Sequence, residues 1–388
     1  MNEQIKKENN IDEKVKKIRK SLENLNTKNF KVFIYSPDMK NNSSGGVGVL
    51  YQHVKVLREL GYDATILTEK NDYEYPKWLG DKYQGFEHVS LSKKNKDGSW
   101  EKTKLQVSPE DFLIIPEGFG NLLEQTQKLS CRRVVLAQSW AYILNSLMPG
   151  SKWSDYGIRD TIVVCSTLKN YLENVFGPDN QRIKICKQYI DEDMFYPSNK
   201  PTKPFIAISG RDQMQTLNLI KHFYLKFPQY RWISFKDMKG MDRETFAEVL
   251  RECCLSVWID KIAGFGTFPI ESAKSGVPVI ALIPEIVPEY ANEKSAIWTN
   301  DLLSIPDLIG NYVRLWLEDS VPTELIEGSK ELSKLYSEKD GKKEIERTYR
   351  ELVNERRSEF EMFLNSNREI SQSLIPAAED YQTVEEVK

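Results

Sequence analysis

The sequence predicts an α/β protein built from two Rossmann-like, doubly wound parallel-sheet domains facing a cleft. Three observations carry this. At 388 residues the chain exceeds what one hydrophobic core usually supports. Short, continuously apolar runs alternate with helical stretches, which is the pattern of parallel strands covered on both faces. The alternation breaks at 190–204, a segment rich in proline, lysine and asparagine, and then resumes.

Residues 1–28 place Ile11, Val15, Ile18, Leu22 and Leu25 on one stripe among charges, the spacing of an amphipathic helix docked on the body. From Phe30 the pattern turns to strands. FKVFIY, a helix carrying Val47, Leu50, Val54, Leu57 and Leu60, and ATILT make a βαβ unit. FLIIP (112–116), RVVLA (133–137), TIVVC (161–165) and RIKIC (182–186) continue it, with TLKNYLENVF (167–176) as a helix, and define an N-terminal domain over 29–195. FIAIS (205–209), RWISF (231–235), LSVWI (255–259) and VPVIAL (277–282) define a C-terminal domain over 196–335. A charged helix over 336–365 and a flexible, solvated tail over 366–388 complete the chain.

Composition removes several function classes. A net charge of −3, from 54 Lys+Arg against 57 Asp+Glu, offers no field for nucleic acid. Cys131, Cys165, Cys186, Cys253 and Cys254 lack metal-site spacing and read as reduced thiols of a cytoplasmic protein. The N-terminus has no apolar h-region and no run approaches a membrane span. Peripheral membrane contact stays open through residues 11–25, whose polar face carries Lys14, Lys16, Lys17, Arg19 and Lys20. His53, His88 and His222 show no ligand spacing, and no G-x-S-x-G elbow supports a hydrolase. Asp191-Glu192-Asp193 has the spacing of a metal-binding triplet, but its place at the interdomain join reads as a solvated turn, and no metal site is expected.

The chemistry-bearing segments are glycine-rich. In AGFGTFPIESAKSGVPVIA (263–281), Gly264 and Gly266 let backbone N–H groups approach a diphosphate at a helix N-terminus, and Glu271 can accept hydrogen bonds from a ribose diol. In SPDMKNNSSGGVGVLYQHVKVLRELGYDATILTE (36–69), Gly45, Gly46 and Gly48 open a helix. A dinucleotide fingerprint with Glu69 as its acid is disfavoured. The glycines lie about nine residues past the strand, and Tyr51 stands where close packing requires glycine. ISGRDQMQ (208–215) supplies Arg211, a bidentate phosphate binder.

These segments resemble the donor site of the GT-B retaining glycosyltransferases of family 4, with Gly264, Phe265, Gly266, Pro269, Glu271, Gly276 and Pro278 in register. The resemblance implies a nucleoside-diphosphate sugar held by the C-terminal domain. Its diphosphate would lie on Arg211 and the backbone of Gly264, Phe265, Gly266 and Thr267, its ribose on Glu271, and Gly45, Gly46 and Gly48 would approach from the N-terminal domain. It further implies transfer to an acceptor hydroxyl with retention, without metal or cofactor, from a UDP- or GDP-type donor. The acceptor could be a glycan, a lipid-linked sugar, another hydroxyl or a modified nucleic-acid base.

Three departures from the family pattern stand out. The first family glutamate is Ala263, leaving Asp260 as a substitute. The lysine that follows the arginine is missing, leaving Lys236 and Lys261 as candidates. A strand-end histidine is Gln138, which cannot take a proton and is assigned to hydrogen bonding with donor or acceptor. Glu117-Gly118-Phe119-Gly120 imitates the donor turn but has Gln125 where a glutamate would follow, and reads as an N-domain loop facing the cleft. Ala263, Gln138 and the absent lysine together keep an alternative in view: a non-catalytic GT-B-like subunit that binds a partner glycosyltransferase or a carbohydrate.

Overall fold

Runs with every side chain apolar are satisfied only inside a sheet covered on both faces. The computed structural model, which describes residues 2–39, 43–292 and 294–366 and side chains from residue 13 onward, places them there. The first half contains β1 (Lys31–Tyr35), β2 (Asp63–Lys70), β3 (His88–Lys94), β4 (Trp100–Lys102), β5 (Phe112–Pro116), β6 (Arg132–Ala137), β7 (Asp160–Val163) and β8 (Arg182–Ile185). They form one sheet in the order β4-β3-β2-β1-β5-β6-β7-β8, parallel except for the β3–β4 pair. Helices α1 (Asn2–Thr27), α2 (Gly45–Glu59), α3 (Gly120–Gln125), α4 (Trp140–Ile143) and α5 (Ser166–Phe176) belong to this half.

The second half contains β9 (Lys203–Ser209), β10 (Ser234–Asp237), β11 (Cys253–Trp258), β12 (Val279–Leu282) and β13 (Ile297–Thr299), all parallel in the order β10-β9-β11-β12-β13. Its helices are α6 (Gln213–Lys226), α7 (Arg243–Glu252), α8 (Phe268–Lys274), α9 (Ile305–Leu317) and α10 (Thr323–Leu335), and α11 (Glu338–Asn365) follows. The expected strand at 231–235 begins at Ser234, because Pro228–Tyr230 winds a 3-10 turn and the Tyr224 hydroxyl donates to the Ile233 carbonyl at 2.6 Å. β3, β4 and β13 were not expected; they sit at or beside sheet edges, where polar positions replace the continuous apolar run.

The two terminal helices pack together on the first half. α11 is fastened by a buried ion network in which Arg132 of β6 holds Asp160 of β7 at 2.7 and 2.9 Å and Glu355 of α11 at 2.8 Å. Arg356 donates to the Pro109 carbonyl at 2.7 Å. On α1, Ile18 and Leu25 are buried and Val15 and Leu22 pack against the same core, while Ser21 and Asn24 donate to Glu110. The described part of the stripe at 11–25 is thus covered by protein, as expected of a helix docked on the body, and is closed to a membrane. The side chain of Ile11 lies outside the described residues, as do residues 367–388 of the expected tail.

Candidate active site

In open parallel sheets, ligand sites form beyond the carboxyl ends of strands where the winding reverses. That reversal lies between β1 and β5 in one sheet and between β9 and β11 in the other. The segments leaving these strands meet across a cleft. From the first half come residues 43–48, Glu117 and Gln138–Tyr142; from the second come Arg211 and Asp260–Thr267.

On the second half, Arg211 is half exposed and fully engaged. Its guanidinium donates to Asp260 Oδ2 at 3.1 and 3.3 Å and to the hydroxyl of Tyr142, across the cleft, at 2.7 Å. Asp260 therefore holds Arg211, and its other oxygen accepts from the Ile262 amide at 3.1 Å. Lys236 places its ammonium over the Phe205 ring at 3.9 Å, whereas Lys261 is exposed in the segment that faces the cleft, its carbonyl accepting from the Glu285 amide. A third lysine, Lys239 in the turn after β10, brings its Nζ to 3.3 Å from the Arg211 carbonyl. Nothing in the residue pattern marked it, because the neighbourhood is created by adjacent strand ends.

The glycine turn has a firm structural reason. Gly266 takes φ +73°, and a Cβ there would stand 2.5 Å from the Trp258 indole. Phe265 is buried and packs edge-on against Tyr290 and Tyr336 at 5.4 Å, so its side chain anchors the turn, and its carbonyl accepts from the Tyr290 hydroxyl at 2.9 Å. Glu271 on α8 is 2% exposed, and its Oε1 accepts from Arg243 of α7 at 2.8 Å. That guanidinium lies over Phe195 at 4.8 Å. One carboxylate oxygen is thus held in place while the residue lines the cleft.

On the first half, Ser44 caps α2 through the Val47 amide, and Gly45, Gly46 and Gly48 occupy its opening turns. The Gln138 amide donates to the Gly46 carbonyl at 3.1 Å. Gly45 faces Thr267: a Cβ at Gly45 would lie 3.7 Å from the Thr267 hydroxyl. The halves also meet closely at Gly264, where a Cβ would overlap Ser139 Cα and come 2.5 Å from the Gln138 carbonyl. Beside it Trp140 Nε1 donates to the Ala263 carbonyl at 3.2 Å. The buried Ser139 hydroxyl finds no partner among the described residues and was not singled out from sequence.

Glu117, read from sequence as part of a cleft-facing loop, supports this segment from behind: its Oε1 accepts from the Ser139 amide at 2.7 Å. Burial pushes its carboxyl up to about 7, against the backbone N–H groups of Gln138 and Ser139. A carboxyl raised in the folded state contributes stability that is complete below its ordinary value near 4.5 and is lost as pH rises through about 7. Thermal melts across this interval should therefore fall with pH for the native chain, and Glu117→Gln should flatten that slope. An unchanged slope would assign the pH dependence elsewhere.

One end of the cleft holds a small open cavity of about 40 Å³ between Gly45 and Gly48 of α2, Trp78 and Tyr83 of the loop before β3, and Thr267, Glu271 and Arg243. Arg243 carried no sequence signal beyond following the α7 cap Asp242. The Asp191-Glu192-Asp193 turn exposes Glu192 and Asp193, as expected of a solvated turn, but not Asp191. Asp191 is buried and accepts from Lys82 Nζ at 2.7 Å, and Asp193 and Glu338 lie 3.7 and 3.9 Å from the same ammonium. The three carboxylates are close enough to share a cation, and Lys82 supplies it. His53 is buried, with Nδ1 3.1 Å from the Tyr349 hydroxyl, and Tyr51 fills the space between α2 and an aromatic cluster that includes Phe86 and His88.

No family model matches the chain. An alpha-1,6-glucosyltransferase of Actinobacillus pleuropneumoniae serotype 7 is 23% identical over 256 residues, 65% of this chain and 73% of that protein. Among solved structures, the pneumococcal O-GlcNAc transferase GtfA in complex with UDP and GlcNAc superposes with a TM-score of 0.61 at 11% identity, covering 84% of this chain and 99% of that one. Anabaena HepE in complex with UDP and glucose gives 0.57 at 10% identity over 83% of this chain and 100% of that one. Sucrose-phosphate synthase from Thermosynechococcus elongatus gives 0.56 at 12% identity, over 84% and 99% respectively. At these identities the structural likeness is one of fold, the two-sheet GT-B architecture.

Proposed function

We propose that this chain, a glycosyltransferase of GT-B architecture, takes a UDP-type sugar into the cleft and moves the sugar to an acceptor hydroxyl entering from the first half. The observation that carries the reading is a cavity that joins the opening turns of α2 to Thr267 and Glu271. Glu271, held on one oxygen by Arg243, offers the other to the ribose diol. Arg211, with Lys239 beside it, and the backbone of Gly264–Thr267 receive the diphosphate, which must displace Tyr142 or Asp260 from the guanidinium. Negative charge grows on the diphosphate as the glycosidic bond breaks, so these preorganised groups stabilise the transition state more than the bound donor.

The acceptor oxygen forms the new bond to the anomeric carbon and loses a proton. Residue 263 is alanine, Asp260 is tied to Arg211, Glu117 lies behind Ser139, and Gln138 accepts no proton. The departing diphosphate oxygen is the base that remains. The family 4 resemblance at 263–281 supports retention and metal independence, and the join between the halves is placed at 195/196.

The test is a thermal-shift series with UDP, GDP, ADP, CMP and dTDP, with and without Mg²⁺. A ligand of the native state raises the melting temperature by mass action. UDP should raise it without metal, and Arg211→Ala should weaken the diphosphate by about tenfold or more while changing the nucleoside monophosphate little. No shift from any nucleotide would overturn the donor site.

A further inference from the structure

An amphipathic surface helix normally turns one apolar face inward and a polar face outward. Helix α6 departs from this. Thr216, Leu219 and Phe223 face the core, yet Met214, Leu217 and Leu225 are 66%, 43% and 79% exposed. At 100° per residue, Met214, Leu217, Lys221 and Leu225 fall within about 80° of one another on the outer face. Trp232, 53% exposed, is set beside the last turn of this helix by the hydrogen bond from Tyr224 to the Ile233 carbonyl.

The charge around the stripe is mainly positive. Within 212–240, Lys221, Lys226, Arg231, Lys236 and Lys239 outnumber Asp212 and Asp237, in a chain whose net charge is −3. Lys226 is paired with Asp307, and Lys236 lies over Phe205. Lys221 and Arg231 are exposed and have no carboxylate partner among the described residues. A two-fold contact between copies of this face would set these cations against their own images.

We propose that the outer face of α6, with Arg231 and Trp232, docks on an anionic lipid surface. Met214, Leu217 and Leu225 enter the interface, Trp232 lies at headgroup level, and Lys221 and Arg231 meet lipid phosphates. The stripe starts three residues after Arg211, so docking brings the cleft mouth to the lipid surface. The inference stands apart from the donor reading, because vesicle binding requires no nucleotide.

The experiment is co-sedimentation of the full chain with phosphatidylcholine vesicles, with or without roughly 30% phosphatidylglycerol, at low and high salt. Binding should require the anionic lipid and weaken with salt. Leu217→Gln/Leu225→Gln and Lys221→Glu/Arg231→Glu should each lose about tenfold or more in binding, with melting temperature and nucleotide response unchanged. Lys16→Glu/Lys20→Glu on α1 should bind as the native chain does. Absence of binding to anionic vesicles, equal binding by the α6 variants, or loss with the α1 variant would overturn the proposal. So would a concentration-dependent assembly that Leu225→Gln abolishes without any vesicle binding, which would assign the face to a protein partner.

Discussion

Glu271→Ala should weaken nucleoside-diphosphate binding by roughly tenfold to a hundredfold and erase discrimination between ribose and 2′-deoxyribose nucleotides. The carboxylate is 2% exposed, with one oxygen fixed by Arg243 at 2.8 Å. A charged acceptor already oriented and stripped of water gives up little on meeting a diol, and its hydrogen bonds are of the stronger class. Truncation also leaves the Arg243 guanidinium with only its ring contacts to Phe195 and Phe246, so the melting temperature should drop by a few degrees. The sugar-selectivity readout separates the two effects. General destabilisation weakens UDP and dUDP alike, whereas loss of the diol contact weakens UDP more than dUDP, which keeps only the 3′-hydroxyl. Persistent discrimination in the variant, measured by titration calorimetry or thermal shift, would remove Glu271 from the ribose.

Gly264→Ala should lower turnover by about a hundredfold, well beyond the loss in nucleotide binding that follows from shifting a backbone segment assigned to the diphosphate. Its Cβ would meet backbone, the Gln138 carbonyl at 2.5 Å and Ser139 Cα, and no flexible side chain can yield there. The two halves would have to part, and the loss of registry between reacting atoms is what a displacement of about 1 Å costs an enzyme. Gly46→Ala is the control, since its Cβ would reach only the Gln138 side-chain amide at 3.5 Å, an ordinary contact. Steady-state sugar transfer by both variants, with nucleotide binding measured alongside, tests the difference. Full turnover by Gly264→Ala would mean that the closed contact at Ser139 is not the reactive geometry.

Much of the architecture was legible because its cause is local. Continuous apolar runs such as FLIIP at β5 and the period of α2 require only neighbours in sequence to be read, and the structure has them within a residue or two. Gly266 was readable for the same reason: a backbone conformation that residues with a Cβ rarely adopt marks itself by residue type. The edge strands β3, β4 and β13 escaped because a half-wet strand has no continuous apolar run. Within the site, Gly45, Gly48, Thr267 and Glu271 line one cavity, while Arg211, Gln138 and Gly264 lie outside its lining.

The partnerships were not legible. Asp191 looked like one member of a solvated acidic turn, and it is buried because Lys82, from a loop far away in sequence, reaches it. Asp260 looked free to replace a missing glutamate, and Arg211 holds it. The stripe on α1 looked available to a membrane, whereas α11 and the first core cover it, and the exposed stripe lies on α6. The sequence by itself determined which continuous apolar runs are strands and which turn requires glycine. Tertiary structure alone decided which charges neutralise one another and which apolar faces remain open, because pairing and burial depend on distances between segments that periodicity does not encode.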